Sequence, residues 1–149
     1  MCRIEQRLAK ADIVLPEVPV PHANYVPAKK TGHLIFTAGQ PSHGFNGKLG
    51  ADLDESTGKA ATRVCATNCV AAIKSLVGDL DRVRQVVAVH GLVNSTPDFT
   101  GQAAVMNGAS DFVVEVFGEA GKHIRTAVGV ASLPMAFAAS VYMIVEVDD

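Results

Sequence analysis

The chain has 149 residues, of which 48% are hydrophobic and 5% aromatic, and its formal net charge at pH 7 is -2. This length suits a single domain with its own core. The near-neutral charge disfavours nucleic acid as a partner, because proteins that bind the phosphates of nucleic acid carry clustered Lys and Arg. No stretch approaches the ~20 apolar residues of a membrane span, so no membrane partner is expected. Cys2, Cys65 and Cys69 form no secreted-type disulfide framework, and a cytoplasmic location is expected.

The N-terminal part predicts a short helix followed by an extended arm. Ile4 and Leu8 stand at helical spacing among charged residues, which is typical of an amphipathic helix. Four prolines between residues 16 and 27 remove backbone donors and favour an irregular path over the surface. Residues 1–24 are therefore interpreted as a helix and proline-rich arm that belong to a single domain over residues 1–149.

Strand and helix patterns then alternate along the chain. Tyr25 and Val26 are expected to open the first strand, and Leu34 to Ala38 predicts the second strand of a hairpin. Asp54 to Ser56 offers N-caps for the clearest helix, which ends at Gly78. The full set of further predicted elements is a helix over Ser56–Val77, a strand over Val83–Asn94, a helix over Ala103–Phe117, and strands over Ile124–Val130 and Ala138–Val147.

This order of elements predicts an α+β fold in which a mixed β-sheet packs two main helices on one face. The opposite face of the sheet then carries apolar side chains without cover. Because a large uncovered apolar face is rare on a monomer, we expect several copies to associate in a closed ring with these faces turned inward.

Common cofactor and metal motifs are absent from the sequence, which has no Walker loop, no GxGxxG, no CxxC, no HExxH and no GxSxG. No cofactor and no metal site are therefore expected. Cys65 and Cys69 stand four residues apart on the predicted helix, and packing of small, polarizable side chains is favoured over metal binding. Arg125 begins a predicted strand, where its rigid fork of donors matches a carboxylate in two parallel hydrogen bonds. His123 would share a strand face with Arg125.

Each of these two residues also has a structural interpretation. A lone arginine at the start of a strand is commonly part of a surface ion pair. A lone histidine at the same place is commonly a solvated group at the rim of the sheet. The residues alone therefore leave the roles of Arg125 and His123 open.

Six segments carry a resemblance to a known family, and they are Asn24–Ala28, Leu34–Gln40, Gly78–Val83, Gly91–Phe99, Val105–Asp111 and Arg125–Pro134. In these segments the chain resembles the Rid/YjgF family of reactive intermediate deaminases, whose members also carry the names L-PSP endoribonuclease and translation inhibitor. The resemblance covers most of the chain and is closest to the longer branch of the family.

This resemblance implies a chorismate-mutase-like fold and a homotrimer whose inward-facing sheets form a β-barrel core, with clefts at the three subunit interfaces. It implies that Arg125 is the catalytic residue that clamps the carboxylate of the substrate. It further implies that four positions border the cleft, namely Tyr25, Gly39, Asn107 and Ala127.

The activity implied by the resemblance is hydrolysis of enamines and imines to 2-keto acids and ammonia. In those deaminases a glutamate on the last strand moves the proton. Counted from Leu133 and Pro134, that position holds Ser140, and Tyr142 is next on the same face. Both residues, together with His123, are expected to line the site that binds a small carboxylate metabolite such as an imine, an enamine or a 2-keto acid.

A serine at position 140, where the deaminases have a glutamate, is compatible with three functions. Because serine is a poor base near neutral pH, efficient deamination requires another base, for which His123, Asp111 and Glu115 are the candidates. The second function is a trimer that binds or senses small carboxylates without catalysis. The third is an endoribonuclease, which the mild negative charge and the lack of a basic, aromatic-lined groove disfavour.

Overall fold

The first helix, α1, spans Arg3–Lys10 in the computed structural model, which describes residues 3–18, 21 and 23–148. It buries Ile4 and Leu8, as their spacing predicts. The backbone N–H groups of Arg3 and Ile4 lie 2.7 and 2.9 Å from the carboxylate oxygens of Asp81. These bonds satisfy donors that the first turn of a helix leaves without a partner, and they tie α1 to the rest of the domain.

The proline-rich arm is irregular over its described residues, as predicted. Ile13, Leu15 and Val18 are partly buried against the hydrophobic core, so this part of the arm lies along the domain. The predictions that concern Cys2, Pro19, Val20 and His22 fall outside the described residues.

Strands of the chain form one mixed sheet, as predicted. Their bounds are β1 Ala28–Thr31, β2 Leu34–Thr37, β3 Gln40–Pro41, β4 Val83–Asn94, β5 Ile124–Val130 and β6 Ala139–Val147. The order across the sheet is β1-β2-β6-β4-β5, and the short β3 also pairs with β6. Only β4 and β5 are parallel to each other, and the remaining neighbours are antiparallel. This order makes β5 one edge strand of the sheet, with β1 at the other edge.

The prediction that Tyr25 and Val26 open the first strand was wrong. The strand begins at Ala28, because Pro27 has no N–H to donate to a ladder. Pro27 still accepts a bond from the N–H of Ala38 at 2.8 Å, and Tyr25 lies in the irregular segment before the strand with half of its surface exposed.

Two long helices cover one face of the sheet, α2 over Glu55–Val77 and α3 over Gln102–Phe117. The side chain of Asp54 accepts the N–H of Thr57 at 2.8 Å, and Gly78 ends α2 with a φ of 74°, as its caps predict. In the part of the chain that the structure describes, no helix has the length and apolar character required to cross a membrane.

The other face of the sheet is open. Along β6 the side chains alternate: Val141 and Met143 are fully buried under the helices, whereas Tyr142 points away from them and is 37% exposed. Phe36 on β2 and Val128 on β5 are likewise about two fifths exposed. The uncovered apolar face predicted from the order of elements is therefore present.

Candidate functional site

Arg125 on β5 lies against two polar residues of α3. Its Nη1 donates to Asn107 Oδ1 at 2.8 Å and to Ser110 Oγ at 3.3 Å. Residues 107 and 110 are three positions apart, so they present their side chains on the same side of the helix. Arg125, Asn107, Ser110 and the neighbouring His123 form a group that we call the anchor cluster.

The guanidinium of Arg125 is open on one edge. Both hydrogens of Nη1 are directed at neutral oxygens, which leaves the three donors on Nε and Nη2. Among the described residues no carboxylate pairs with Arg125. The surface ion pair considered from the sequence is thus not seen there, and the open edge has the geometry for two parallel bonds to a carboxylate.

His123 lies directly before β5 and joins the same cluster. Its Nε2 is 2.9 Å from Ser110 Oγ and its Nδ1 is 2.6 Å from the backbone oxygen of Gly121. The strand alternation that places His123 and Arg125 on one side of the chain brings both of them to Ser110. Ser110 was missed from the sequence, although its spacing from Asn107 on the predicted helix was the signal that could have identified it.

A second group of residues forms an apolar cleft of about 360 Å³ beside β6, on the face of the sheet that the helices leave open. Of the residues predicted for the site it contains Tyr25, Gly39 and Ser140. A Cβ added to Gly39 would lie 2.8 Å from Ser140 Oγ, so the glycine keeps this part of the cleft open. The other lining residues are mostly apolar, and they are Ala23, Pro41, Leu92, Leu133, Pro134, Met135, Phe137 and Ala139. No carboxylate is among them.

The anchor cluster and the apolar cleft belong to opposite faces of the sheet within the single chain. Leu92 is in register with both Val128 and Ser140, so the side chains of these three residues share the open face. Arg125 is three positions from Val128 on β5, which places it on the helix-covered face. A single chain therefore does not bring Arg125 together with Ser140.

The two other predicted site residues divide in the same way. Ala127 alternates with Arg125 on the helix-covered face and is partly buried against the core. Tyr142 lies on the open face, where its ring centroid is 4.9 Å from that of His90 on β4. Tyr142 is therefore on the face that carries Ser140.

The acidic candidates for a base, Asp111 and Glu115, lie on α3, and the nearest carboxylate on the last strand is Glu146. Glu115 forms an ion pair with Arg63 of α2 at 3.2 Å, so its carboxylate is directed along the helix pair and not at Arg125. Asp111 is exposed next to Ser110. Glu146 on β6 accepts a bond from Gln85 at 3.1 Å. Neither Glu115 nor Glu146 is thus placed to assist at the anchor cluster.

Cys65 and Cys69 are packing residues, as predicted. Both side chains are fully buried between α2 and β6, with sulfur atoms 3.6 and 3.2 Å from the carbonyl oxygens of Ala139 and Val141. Burial raises the pKa of the Cys69 thiol to about 12. Burial, aided by the neighbouring Cys69, raises the pKa of Cys65 well above its usual value. Over the described residues, no three His, Cys, Asp or Glu side chains form a group that could hold a metal.

These two thiols are expected to resist alkylation in the folded protein at pH 8, because the thiolate is the reactive form. In denaturant both should react within minutes, and mass spectrometry after iodoacetamide treatment of a Cys2→Ser variant would count them. Rapid labelling of the native protein at both positions would contradict this assignment.

Since the folded-state pKa values are raised, the thiols favour folding below their unfolded pKa of about 8.5, and this contribution is lost as the pH rises towards 12.

Comparisons with known proteins agree on one family. Residues 5–147 match the family described as "YjgF/chorismate_mutase-like, putative endoribonuclease". The chain is 42% identical over 153 aligned positions to Protein TCP17 of Trypanosoma cruzi, with 99% of this chain and 96% of that protein covered.

Two solved structures share the fold over nearly the whole chain. The protein Atu1372 from Agrobacterium tumefaciens is 39% identical, with a TM-score of 0.89 and coverage of 98% of this chain and 94% of that one. A protein from Shewanella oneidensis MR-1, described as "a putative endoribonuclease", is 34% identical, with a TM-score of 0.94 and coverage of 97% of this chain and 99% of that one. The chain belongs to the YjgF/chorismate mutase-like family, in agreement with the resemblance seen in its sequence.

Proposed function

We propose that the protein is an imine and enamine deaminase that holds a small carboxylate metabolite in clefts between the subunits of a homotrimer. The observation that carries this proposal is the guanidinium of Arg125, which neutral oxygens hold in place while its Nε and Nη2 edge stays open. A ligand carboxylate on that edge would receive two parallel, charge-assisted hydrogen bonds.

The division of the site between two faces supports a shared cleft. Arg125 lies at the edge strand β5, and the apolar cleft with Tyr25, Gly39 and Ser140 lies at the open face of the same sheet. The open face carries apolar side chains that favour association with further copies. In a closed ring, the anchor cluster of one subunit meets the apolar cleft of the next. Each site is then complete only in the oligomer.

The chemistry suits such a site. An iminium carbon next to a carboxylate is already electrophilic, so the protein has to position the substrate and a water molecule and move one proton. Water adds to the C=N bond to give a carbinolamine, and the C–N bond then breaks to give a 2-keto acid and ammonia. The apolar cleft excludes bulk water from the rest of the substrate.

The test is release of ammonia and 2-keto acid from freshly generated 2-aminoacrylate. We expect the purified oligomer to accelerate the release over the spontaneous reaction in the same buffer. Binding of pyruvate without any acceleration would reject the deaminase and favour the binding or sensing trimer. Cleavage of single-stranded RNA that disappears in an Arg125→Ala variant would favour the endoribonuclease activity that relatives carry in their names.

A further inference from the structure

The hydrogen bonds of His123 fix where its proton lies in the neutral ring. The carbonyl oxygen of Gly121 can only accept, and it is 2.6 Å from Nδ1, so Nδ1 carries the hydrogen. Nε2 is then the acceptor, and Ser110 Oγ, at 2.9 Å, donates its hydrogen to it. A backbone carbonyl therefore orients the histidine as a base towards the hydroxyl of Ser110.

The oxygen of Ser110 also faces a cation. Nη1 of Arg125 lies 3.3 Å from Oγ and can only donate. Negative charge that develops on Oγ when its proton moves towards His123 is stabilised by this guanidinium. A hydroxyl hydrogen-bonded to an oriented histidine and placed beside a positive group is the arrangement that activates oxygen for proton transfer in many hydrolytic enzymes.

We propose that Ser110 and His123 form the proton relay of the Arg125 site and supply the base that Ser140 does not. This inference rests on the proposed function. As a water molecule attacks the carbon of the protonated imine, it gives one proton, through intervening water, to Ser110 Oγ, while the hydroxyl proton of Ser110 passes to Nε2 of His123. The relay then returns that proton to the amino nitrogen of the carbinolamine. The C–N bond breaks as the carbinolamine hydroxyl becomes the keto group and gives its own proton to the relay, and ammonia leaves.

The relay lies on the Nη1 side of the guanidinium. Asn107 and Ser110 are both bonded to Nη1, so a carboxylate on the Nε and Nη2 edge lies across the guanidinium from Ser110. Because Arg125 is exposed, water molecules reach both sides of it and connect the reacting carbon to Oγ. By contrast, the Glu115 carboxylate is engaged by Arg63.

The charged groups around His123 are few. Arg125 shares Ser110 with the ring, and on the preceding turn Lys122 and Glu119 pair with each other at 3.7 Å. Asp111 is exposed on α3 beside Ser110. In the described part of the chain no carboxylate pairs with His123 itself. A change in rate with pH that depends on residue 123 therefore reports on this imidazole.

The decisive variants are His123→Gln and Ser110→Ala, measured in the full-length oligomer with 2-aminoacrylate. We expect kcat to fall by about 10²-fold in each, because a general base contributes on the order of 10² to 10⁴. The Kd for pyruvate should stay within about twofold of wild type, since Arg125 is unchanged. Ser110→Thr keeps the hydroxyl and should retain most of the activity. His33→Gln, an exposed histidine on the β1–β2 turn, is the matched control.

Two further readouts separate proton transfer from a structural role. The wild-type kcat should rise with pH as one group loses its proton, whereas the kcat of His123→Gln should not show this rise. The ratio of the wild-type rate to the variant rate should therefore increase through the transition. In His123→Ala, added imidazole should restore part of the activity.

The outcomes are distinct. No acceleration by the wild-type protein contradicts the proposed function itself. An active wild type together with a His123→Gln variant that keeps more than half of its kcat overturns the relay alone. A loss of kcat that comes with an equal loss of pyruvate affinity, and that imidazole does not restore, also overturns the relay.

Discussion

Arg125→Ala is expected to weaken the binding of a 2-keto acid such as pyruvate by at least about 10²-fold. The substitution removes two charge-assisted hydrogen bonds, each worth roughly 1.5–3 kcal/mol. Because Arg125 is exposed in the single chain, the lower end of that range applies, and about 3 kcal/mol for the two bonds together corresponds to a factor of more than 10² in Kd. Isothermal titration calorimetry at constant ionic strength would measure the change.

Two variants serve as controls. Arg84→Ala removes another exposed arginine, which pairs with Asp148 at 3.5 Å on β4, and it should bind pyruvate as the wild type does. Arg125→Lys keeps the charge but loses the planar fork, so its affinity should lie between those of the wild type and the alanine variant. If Arg125→Ala bound pyruvate as tightly as the wild type, the carboxylate clamp would be refuted.

Arg125→Ala, combined with a second variant, tests whether two subunits share each site. Gly39→Val should fill the apolar cleft, because a side chain there runs into Ser140. Each variant alone is then inactive for a different reason. When the two are unfolded and refolded together, about a quarter of the interfaces in random mixed rings combine an intact Arg125 with an intact cleft. Recovery of activity in the mixture, with none in either variant alone, is expected for a site built by two subunits.

The elements that the sequence predicts well are those with local signals. Asp54 and Gly78 mark the ends of α2 through their own backbone and capping preferences, and the β-branched run at Val83–Asn94 forms the central strand. The two-residue strand Gln40–Pro41 was missed, because two residues display no alternation and its pairing with β6 is a tertiary contact. Local patterns therefore predict elements and not their partners.

The site shows the same limit. Strand alternation predicted that His123 and Arg125 face one way, and the structure brings both to Ser110. The contact itself depends on how α3 packs on β5, which no local pattern specifies. That Ser140 faces away from Arg125 follows only from the register of β4 with β5 and β6. A sequence reading could name most members of the site without showing that they form two groups.

Gly108→Ala is expected to destabilise the fold by about 2 kcal/mol or more, although helix propensity alone predicts the opposite sign. On an open helix, replacing glycine with alanine stabilises by about 1 kcal/mol. Gly108 lies on α3 where it crosses α2, and a Cβ there would lie 2.7 Å from the carbonyl carbon of Lys59 and 2.5 Å from Thr62 Oγ1, and would also contact the Lys59 oxygen. Backbone atoms cannot rotate away, so the helices must separate.

Separation of α2 and α3 would also weaken a hydrogen bond that joins the two helices. Thr62 Oγ1 donates to the backbone oxygen of Val105 at 2.8 Å across the same crossing, and overpacking of this kind typically costs about 1–3 kcal/mol before the loss of that bond. Gly58→Ala on α2 is the matched control, because its Cβ would meet side-chain atoms of Leu49 and Val105 at 2.9 Å, which can adjust. Its destabilisation should be smaller. Urea denaturation at one fixed protein concentration would compare the two, and a Gly108→Ala protein as stable as the wild type would mean that the helices cross further apart than this packing requires.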